Sequence, residues 1–271
     1  MQSILKYLKT DLFADKLRRA VFEIYAILSL ISAVYLLSVA SYRNALLSVG
    51  YFLLVLSLLV ATEYFLGLKL GNVFLLTVLI VPVGGLLGTC YEFYMYIPFF
   101  DTFLHTVSGF IFAAFGYSVM ERVLIRTDEN SRRIASLIFA FAFSLALAVL
   151  WEMFEWGSTV FLSGDMQEDS IVNSIRSYFL SGSHNNALVL DGITETVIHH
   201  SGGTYVIDGY LDLGLQDTLV DMLVCVIGAL VFLTLGIIDS GKCDGKLVTL
   251  FTPSLSYGSI SSGETSEKSS I

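Results

Sequence analysis

The chain has 271 residues, of which 55% are hydrophobic and 14% are charged, and its mean hydropathy is +0.75. Soluble domains carry charge on about a quarter of their residues, so this composition excludes an ordinary soluble domain and predicts a lipid bilayer as the main environment. The net charge of −9 argues against nucleic acid as a partner, and the spacing of the three cysteines indicates neither a disulfide scaffold nor a metal-binding motif.

The chain begins with a basic amphipathic segment, residues 1–20, which we predict to lie on the cytoplasmic membrane surface. The first apolar run ends in Ser38-Val39-Ala40, which resembles a signal-peptide cleavage site. The run is longer than the usual apolar region of about 7–15 residues, so we expect an uncleaved helix. Six runs are long enough to cross a bilayer: Val21–Ala40, Ala45–Leu66, Leu70–Cys90, Thr102–Val123, Ile134–Phe161 and Leu219–Ile238.

Residues 21–240 are therefore predicted to form an all-α, polytopic six-helix membrane domain. Within the third span, Pro82 and the glycines of residues 84–88 indicate a kink and a close contact between helices. No P-loop and no dinucleotide-binding fingerprint is present in the chain.

Basic residues set the predicted orientation, because Lys and Arg concentrate in cytoplasmic loops. With a cytoplasmic N-terminus, only Arg43 and Arg176 fall on the outer side and the remaining thirteen basic residues fall inside. Both termini of this multi-pass protein are thus predicted to be cytoplasmic. Thirteen acidic residues fall on the outer side or at outer helix ends, a charge that attracts cations.

The extracytoplasmic loop between spans five and six, residues 162–216, is rich in Ser, Gly and Asn. Ala187–Leu190 and Ile193–Ile198 flank Asp191-Gly192, a dipeptide typical of a type I′ turn, so we predict a small β-hairpin there. Thr204–Ile207 is a candidate third strand. The tail, residues 241–271, is predicted to be disordered and cytoplasmic, because it ends in a Ser/Gly-rich stretch.

Three spans carry paired ionisable groups at helical spacing, so that each pair lies on one face of its helix. The pairs are Asp101 with His105, Glu152 with Glu155, and Asp217 with Asp221. A rise of about 1.5 Å per residue places Asp101, His105, Glu152 and Asp221 about 25–31 Å from the nearest cytoplasmic basic residue, so we expect all six groups near the outer edge of the membrane.

These six groups are the candidate metal ligands, and two interpretations of them stay open. Charges at a membrane interface can simply be solvated at little cost. Five carboxylates brought together would instead repel one another, and a divalent metal or bound protons would relieve that repulsion. Oxygen-rich ligation with one imidazole suits manganese, magnesium, calcium or zinc without choosing among them.

Some neighbouring residues indicate structure rather than chemistry. Trp151 and Trp156, with nearby tyrosines, are typical of the aromatic belt at a membrane surface. His199 and His200 suggest an exposed loop pair rather than a cap over the site. Glu63, near the inner end of the second span, has no obvious partner in the sequence.

Three segments carry a resemblance to a known family: Phe100–His105, Trp151–Trp156 and Gly209–Asp221. Over roughly residues 70–240 the chain resembles the YjdF-like family of bacterial inner-membrane proteins, with a looser similarity to VanZ-like membrane proteins. The YjdF-like family has no assigned activity, so the resemblance implies the fold, the site and a location in the bacterial cytoplasmic (inner) membrane, and leaves the function open. It also implies an Asn one turn after the second Asp, where this chain has Cys225.

Three functions are compatible with these residues. The first is a metal-dependent enzyme acting on a lipid or envelope precursor, with Glu152 or Glu155 as general base and His105 as ligand or general acid. The second is a transporter that carries a cation or proton past the same acids, although these cluster at one edge and no internal repeat relates the two halves. The third is a non-catalytic membrane scaffold with solvated acids. The sequence identifies no protein partner.

Overall fold

The structure, a computed structural model, describes Tyr7, Phe13 and residues 15–162, 164–242 and 246–255, with backbone alone at residues 162, 240–242 and 255. Six of its helices are long and apolar enough to cross a membrane, which confirms the predicted all-α membrane architecture. We number them α1 Lys16–Ser38, α2 Tyr42–Leu59 with a π-helical extension Val60–Phe65, α3 Asn72–Tyr91, α4 Phe100–Val123, α5 Glu129–Leu162 and α6 Leu215–Lys242. Short helices cover Phe93–Tyr96, Tyr178–Ser181 and Lys246–Leu250.

A side-chain cap marks the start of α1, and residues with positive φ mark the end of α3 and the start of α4. The Asp15 carboxylate accepts a hydrogen bond from the Arg18 N–H at 3.0 Å and caps α1, so this helix begins five residues before the predicted span. Glu92, with φ +62°, ends α3, and Phe99, with φ +62°, precedes α4. Most of the predicted amphipathic segment, residues 1–20, lies outside the described residues.

The chain divides into two compact units. Unit 1 is Met1–Leu147 with Val224–Ile271, and unit 2 is Ala148–Leu223. The boundary falls within α5 and α6, which each contribute to both units.

Unit 1 contains α1–α4 and their apolar core, in which Phe74, Ala113, Ala114 and Phe232 are almost completely buried. The glycine-rich stretch of α3 makes the predicted close contact, because a Cβ added at Gly84 would lie 2.3 Å from Leu104 Cδ2. Small residues at such positions let two helices approach more closely than larger side chains allow.

Glu63, for which the sequence shows no obvious partner, is paired with Arg18 in unit 1. It lies in the π-helical turn Val60–Phe65, and its side chain is only 4% exposed. The Arg18 guanidinium donates to both carboxylate oxygens, and the Tyr7 hydroxyl donates to Oε2 at 2.6 Å. The Leu70 N–H donates to Oε1 at 2.9 Å, while Arg18 also donates to the Leu70 carbonyl at 2.6 Å. The sequence missed this pair because Arg18 and Glu63 are 45 residues apart.

Twelve residues of the tail predicted to be disordered are folded in unit 1, namely 241–242 at the end of α6 and 246–255. The buried Asp239 carboxylate accepts hydrogen bonds from the Leu247 and Val248 N–H groups and so caps the helix Lys246–Leu250. Phe251 then packs edge-on against Phe110, with ring centroids 5.4 Å apart. Strand β8, Ser254–Leu255, pairs antiparallel with β1, Leu68–Lys69. The remainder of the predicted tail, residues 243–245 and 256–271, lies outside the described residues.

Unit 2 contains the end of α5, the start of α6 and three small antiparallel strand pairs between them. The strands are β2 Ser170–Val172, β3 Ser174–Ser177, β4 Leu188–Asp191, β5 Thr196–His200, β6 Gly203–Ile207 and β7 Tyr210–Asp212. They pair as β2 with β7, β3 with β4, and β5 with β6.

A β-hairpin is present in this loop, but it forms from other residues than predicted. Asp191-Gly192 does not join two paired strands, because β4 pairs with β3. The hairpin turns at Ser201-Gly202 and joins β5 to β6, the candidate third strand. Its register pairs β-branched or aromatic residues, such as Val197 with Val206, whose cross-strand packing stabilises a sheet. His200 stacks on Tyr205 on the exposed surface of this hairpin, as its ring centroid lies 5.2 Å away.

Candidate metal centre

Three carboxylates converge in unit 2. Glu152 and Glu155 lie three residues apart on α5, and Asp221 lies in the second turn of α6. Each offers one oxygen, and these oxygens all lie within 4.8 Å of one another. Relative exposures of 5%, 6% and 2% show that all three residues are withdrawn from the surface. We call these three residues the acid cluster.

Trp151 is hydrogen-bonded to one member of the acid cluster. Its indole Nε1–H donates to Glu155 Oε1 at 2.7 Å, while 43% of the residue remains exposed. The sequence placed Trp151 in an aromatic belt and missed this hydrogen bond. The spacing of four residues, which puts Trp151 and Glu155 on the same helix face, was the signal available for finding it.

The loop after α5 is fastened to the first turn of α6 by polar contacts. The Gln167 amide donates to the Thr218 hydroxyl at 2.5 Å, and the Glu168 N–H donates to Asp217 Oδ2 at 2.9 Å. Asp212, at the end of β7, accepts from the Gln216 N–H at 2.7 Å near the start of α6. Asp217, predicted as a metal ligand, thus has a structural contact with the loop.

Unit 2 has a large excess of negative charge. Its sequence contains eleven acidic residues and one basic residue, Arg176. Partial desolvation, together with the neighbouring charges of Asp165 and Asp212, raises the pKa of Asp169 above its ordinary value. A unit with this charge attracts cations over its whole surface.

Asp101 and His105 contact each other in unit 1. His105 Nε2 lies 3.6 Å from Asp101 Oδ2, one helical turn away on α4, and His105 is buried. The Cys225 thiol of α6 donates to the His105 carbonyl at 3.2 Å, so the position where the resemblance implies Asn contacts this histidine. Glycines permit this approach, since a Cβ added at Gly109 would lie 2.1 Å from the Cys225 carbonyl oxygen.

Five of the six predicted site residues therefore lie beside another predicted site residue of the same unit. Within unit 2, Glu152, Glu155 and Asp221 are brought together and could hold a metal ion. Within unit 1, Asp101 and His105 are brought together. A single metal site formed by all six predicted ligands, Asp217 included, stays a prediction.

Comparison with known proteins identifies one family. The family model described as Predicted membrane protein (DUF2238) matches residues 18–241, most of the chain. This match confirms the resemblance to an uncharacterised YjdF-like membrane family. No curated protein and no solved structure matches the chain.

Proposed function

This chain belongs to the membrane-protein family DUF2238, and on that premise we propose that it is a metal-dependent membrane enzyme. In this proposal the acid cluster binds one divalent cation, and the cation acts on a lipid head group or an envelope precursor. The proposal rests on one observation, the convergence of three buried carboxylates within 4.8 Å.

The separation of the oxygens supports a single bound ion. Two oxygens on opposite sides of a cation, each at about 2.4 Å, are about 4.8 Å apart. Three carboxylates at this spacing repel one another when ionised, and a divalent cation between them relieves that repulsion. The acidity of unit 2 raises the local concentration of such cations.

The donor set favours a hard cation. Carboxylate oxygens suit magnesium, manganese and calcium, whereas zinc sites in proteins are built mostly from nitrogen and sulfur donors. A bound cation would polarise a phosphoryl or acyl oxygen or lower the pKa of a bound water. Glu152 or Glu155 then serves as the general base, and the bond from Trp151 fixes the direction of the Glu155 carboxylate.

The distribution of charge supports an orientation. Thirteen of the fifteen basic residues fall on one side of a six-span topology. We therefore place both termini in the cytoplasm of a bacterium, and the acid cluster near the outer surface of the inner membrane. Substrates of this site would come from the outer leaflet or from the envelope outside it.

Metal content tests the proposal directly. Wild-type protein, purified in detergent and dialysed against Mn²⁺, is expected to retain about one ion per chain, and Glu152→Gln with Glu155→Gln is expected to retain almost none. The matched control is Glu121→Gln, which removes a half-buried carboxylate of α4 that contacts Arg132. Equal metal content in wild type and the double variant, with both correctly folded, would sink the proposal.

A cation transporter is the second candidate, because the strong negative charge of unit 2 would also concentrate a transported ion. Proteoliposomes separate the two functions. Accumulation of radioactive Mn²⁺ that is abolished by Glu155→Gln favours transport. Metal-dependent release of a head group from bilayer phospholipids, abolished by the same substitution and without accumulation, favours the enzyme.

A further inference from the structure

The connection between β3 and β4 exposes three consecutive large apolar side chains. It covers residues 178–187 and begins with the short helix Tyr178–Ser181. The Ser177 hydroxyl accepts a hydrogen bond from the Leu180 N–H at 3.1 Å and so caps this helix. The exposed fractions are 54%, 92% and 51% for Tyr178, Phe179 and Leu180. We call these three residues the apolar tip.

The conformation of this connection is fixed without packing of the apolar tip. Four cross-strand pairs join β3 to β4 below it. The Ser181 hydroxyl donates to the Tyr178 carbonyl at 2.9 Å and accepts from the Ser183 N–H at 3.1 Å, which closes the turn. Because local hydrogen bonds shape the turn, the apolar side chains are held outward in a defined geometry. A substitution at Phe179 is therefore expected to leave the fold intact.

The segment that carries the apolar tip differs in charge from the rest of unit 2. Residues 170–190 contain no Asp or Glu, whereas unit 2 as a whole contains eleven. Arg176, the single basic residue of the unit, is exposed and precedes Tyr178 by two residues. Acidic groups at this place would repel lipid phosphates, and a basic group attracts them. The charge of the segment therefore complements a phosphate-bearing lipid surface.

The loop is anchored to a membrane at both ends. It connects α5 to α6, which are both long and apolar enough to cross a bilayer. The base of the loop is closed where β2 pairs with β7, and Tyr210 there lies opposite Val172. Six residues separate Val172 from Tyr178, at most about 20 Å of extended chain. This length allows the apolar tip to reach the head-group region of the membrane that α5 and α6 cross.

We propose that the apolar tip inserts into the surface of this membrane, on the side where the loop lies. Tyr178, Phe179 and Leu180 contact the outer part of the acyl chains, and Arg176 contacts lipid phosphates. Aromatic and aliphatic side chains with a basic neighbour are the residues that favour this interface. Insertion removes the Phe179 ring from water, which the folded loop alone does not. The partner is thus the phospholipid bilayer itself.

Site-specific photocrosslinking of full-length protein in nanodiscs of phosphatidylcholine and phosphatidylglycerol tests this proposal. The photoreactive amino acid p-benzoylphenylalanine replaces Phe179, and in the control it replaces Thr194, an exposed residue between Asp191 and Glu195. Mass spectrometry is expected to find phospholipid adducts about tenfold more often at position 179 than at position 194, because burial of an aromatic ring favours the lipid by at least this factor. Adding Arg176→Gln is expected to lower the yield at position 179 about fivefold.

Three results would overturn the proposal. Equal adduct yields at positions 179 and 194, with the unfolding temperature of wild type retained in both proteins, would show that the apolar tip stays in water. A covalent dimer in place of lipid adducts would identify a second copy of the chain as the partner. A yield unchanged by Arg176→Gln would contradict the contact between this arginine and lipid phosphates.

Discussion

Two buried carboxylate sites in this protein balance their charge in different ways. Glu63 receives donors from Arg18, Tyr7 and Leu70, so its charge is neutralised within the chain itself. The acid cluster instead gathers three like charges within 4.8 Å. A buried carboxylate that is neutralised by a guanidinium has a structural role. Carboxylates that repel one another favour binding of a cation or of protons, because either relieves the repulsion.

The largest expected effect comes from breaking the structural site. Arg18→Met removes the guanidinium and leaves the Glu63 charge buried, which is expected to lower the free energy of unfolding by about 3–5 kcal/mol. Thermal unfolding of the detergent-solubilised protein measures it. Arg19→Met, which breaks the exposed pair with Glu23, is the control and is expected to change little. Similar losses in both variants would contradict the structural role of the buried pair.

The acid cluster is expected to respond in the opposite direction. In the presence of EDTA, Glu152→Gln removes one of three repelling charges and is expected to stabilise the fold by about 1 kcal/mol. With Mn²⁺ added, wild type is expected to gain stability and the variant to gain much less, because ligand binding to the folded state raises stability by mass action. Destabilisation of Glu152→Gln in EDTA would assign this residue a structural role like that of Glu63.

The hydrogen bond that supports the cluster is expected to affect metal affinity and not the stability of the fold. Trp151→Phe removes the indole donor to Glu155 and is expected to weaken Mn²⁺ binding about 10–100-fold, the usual range for a group that orients a metal ligand. Trp156→Phe is the matched control, because Trp156 is also exposed and packs on Phe161. The chain has two tryptophans, so quenching by Mn²⁺ of the fluorescence that remains in each variant reports binding. Equal affinities in both variants would remove the positioning role.

Hydrophobic pattern alone predicts much of this fold, because lipid imposes a strict requirement on each span. Runs such as Leu70–Cys90 must satisfy their backbone hydrogen bonds internally, so the length and apolarity of such a run already predict a helix. The predicted span Leu70–Cys90 and the helix Asn72–Tyr91 differ by two residues at the start and one at the end. Close packing of α3 was also predictable, because Gly84 is one of a run of small residues.

The site was predictable only where its residues are close in sequence. Helical spacing predicted that Glu152 and Glu155 lie on one face of α5. The sequence could not show that Asp217 contacts the Glu168 backbone or that Asp221 lies beside the two glutamates. Long-range pairs were missed for the same reason, Arg18 with Glu63 among them. The hairpin was misplaced because Asp191-Gly192 fits a turn locally, whereas the pairing of β4 is decided by β3, more than ten residues earlier.

The smallest effect is expected from Asp128, an exposed carboxylate that accepts a hydrogen bond at the start of α5 and so contrasts with both buried sites. Hydrogen bonding from the Ser131 N–H lowers the pKa of Asp128 below its ordinary value of 3.8. Because the folded-state pKa is depressed, the stabilisation is fully present above pH 3.8 and is lost as pH falls through the lower folded value. Asp128→Asn is therefore expected to lower the unfolding temperature slightly at pH 7 and to match wild type at the acid end. Parallel curves for the two proteins between pH 7 and pH 3 would show that Asp128 does not stabilise α5 through its charge.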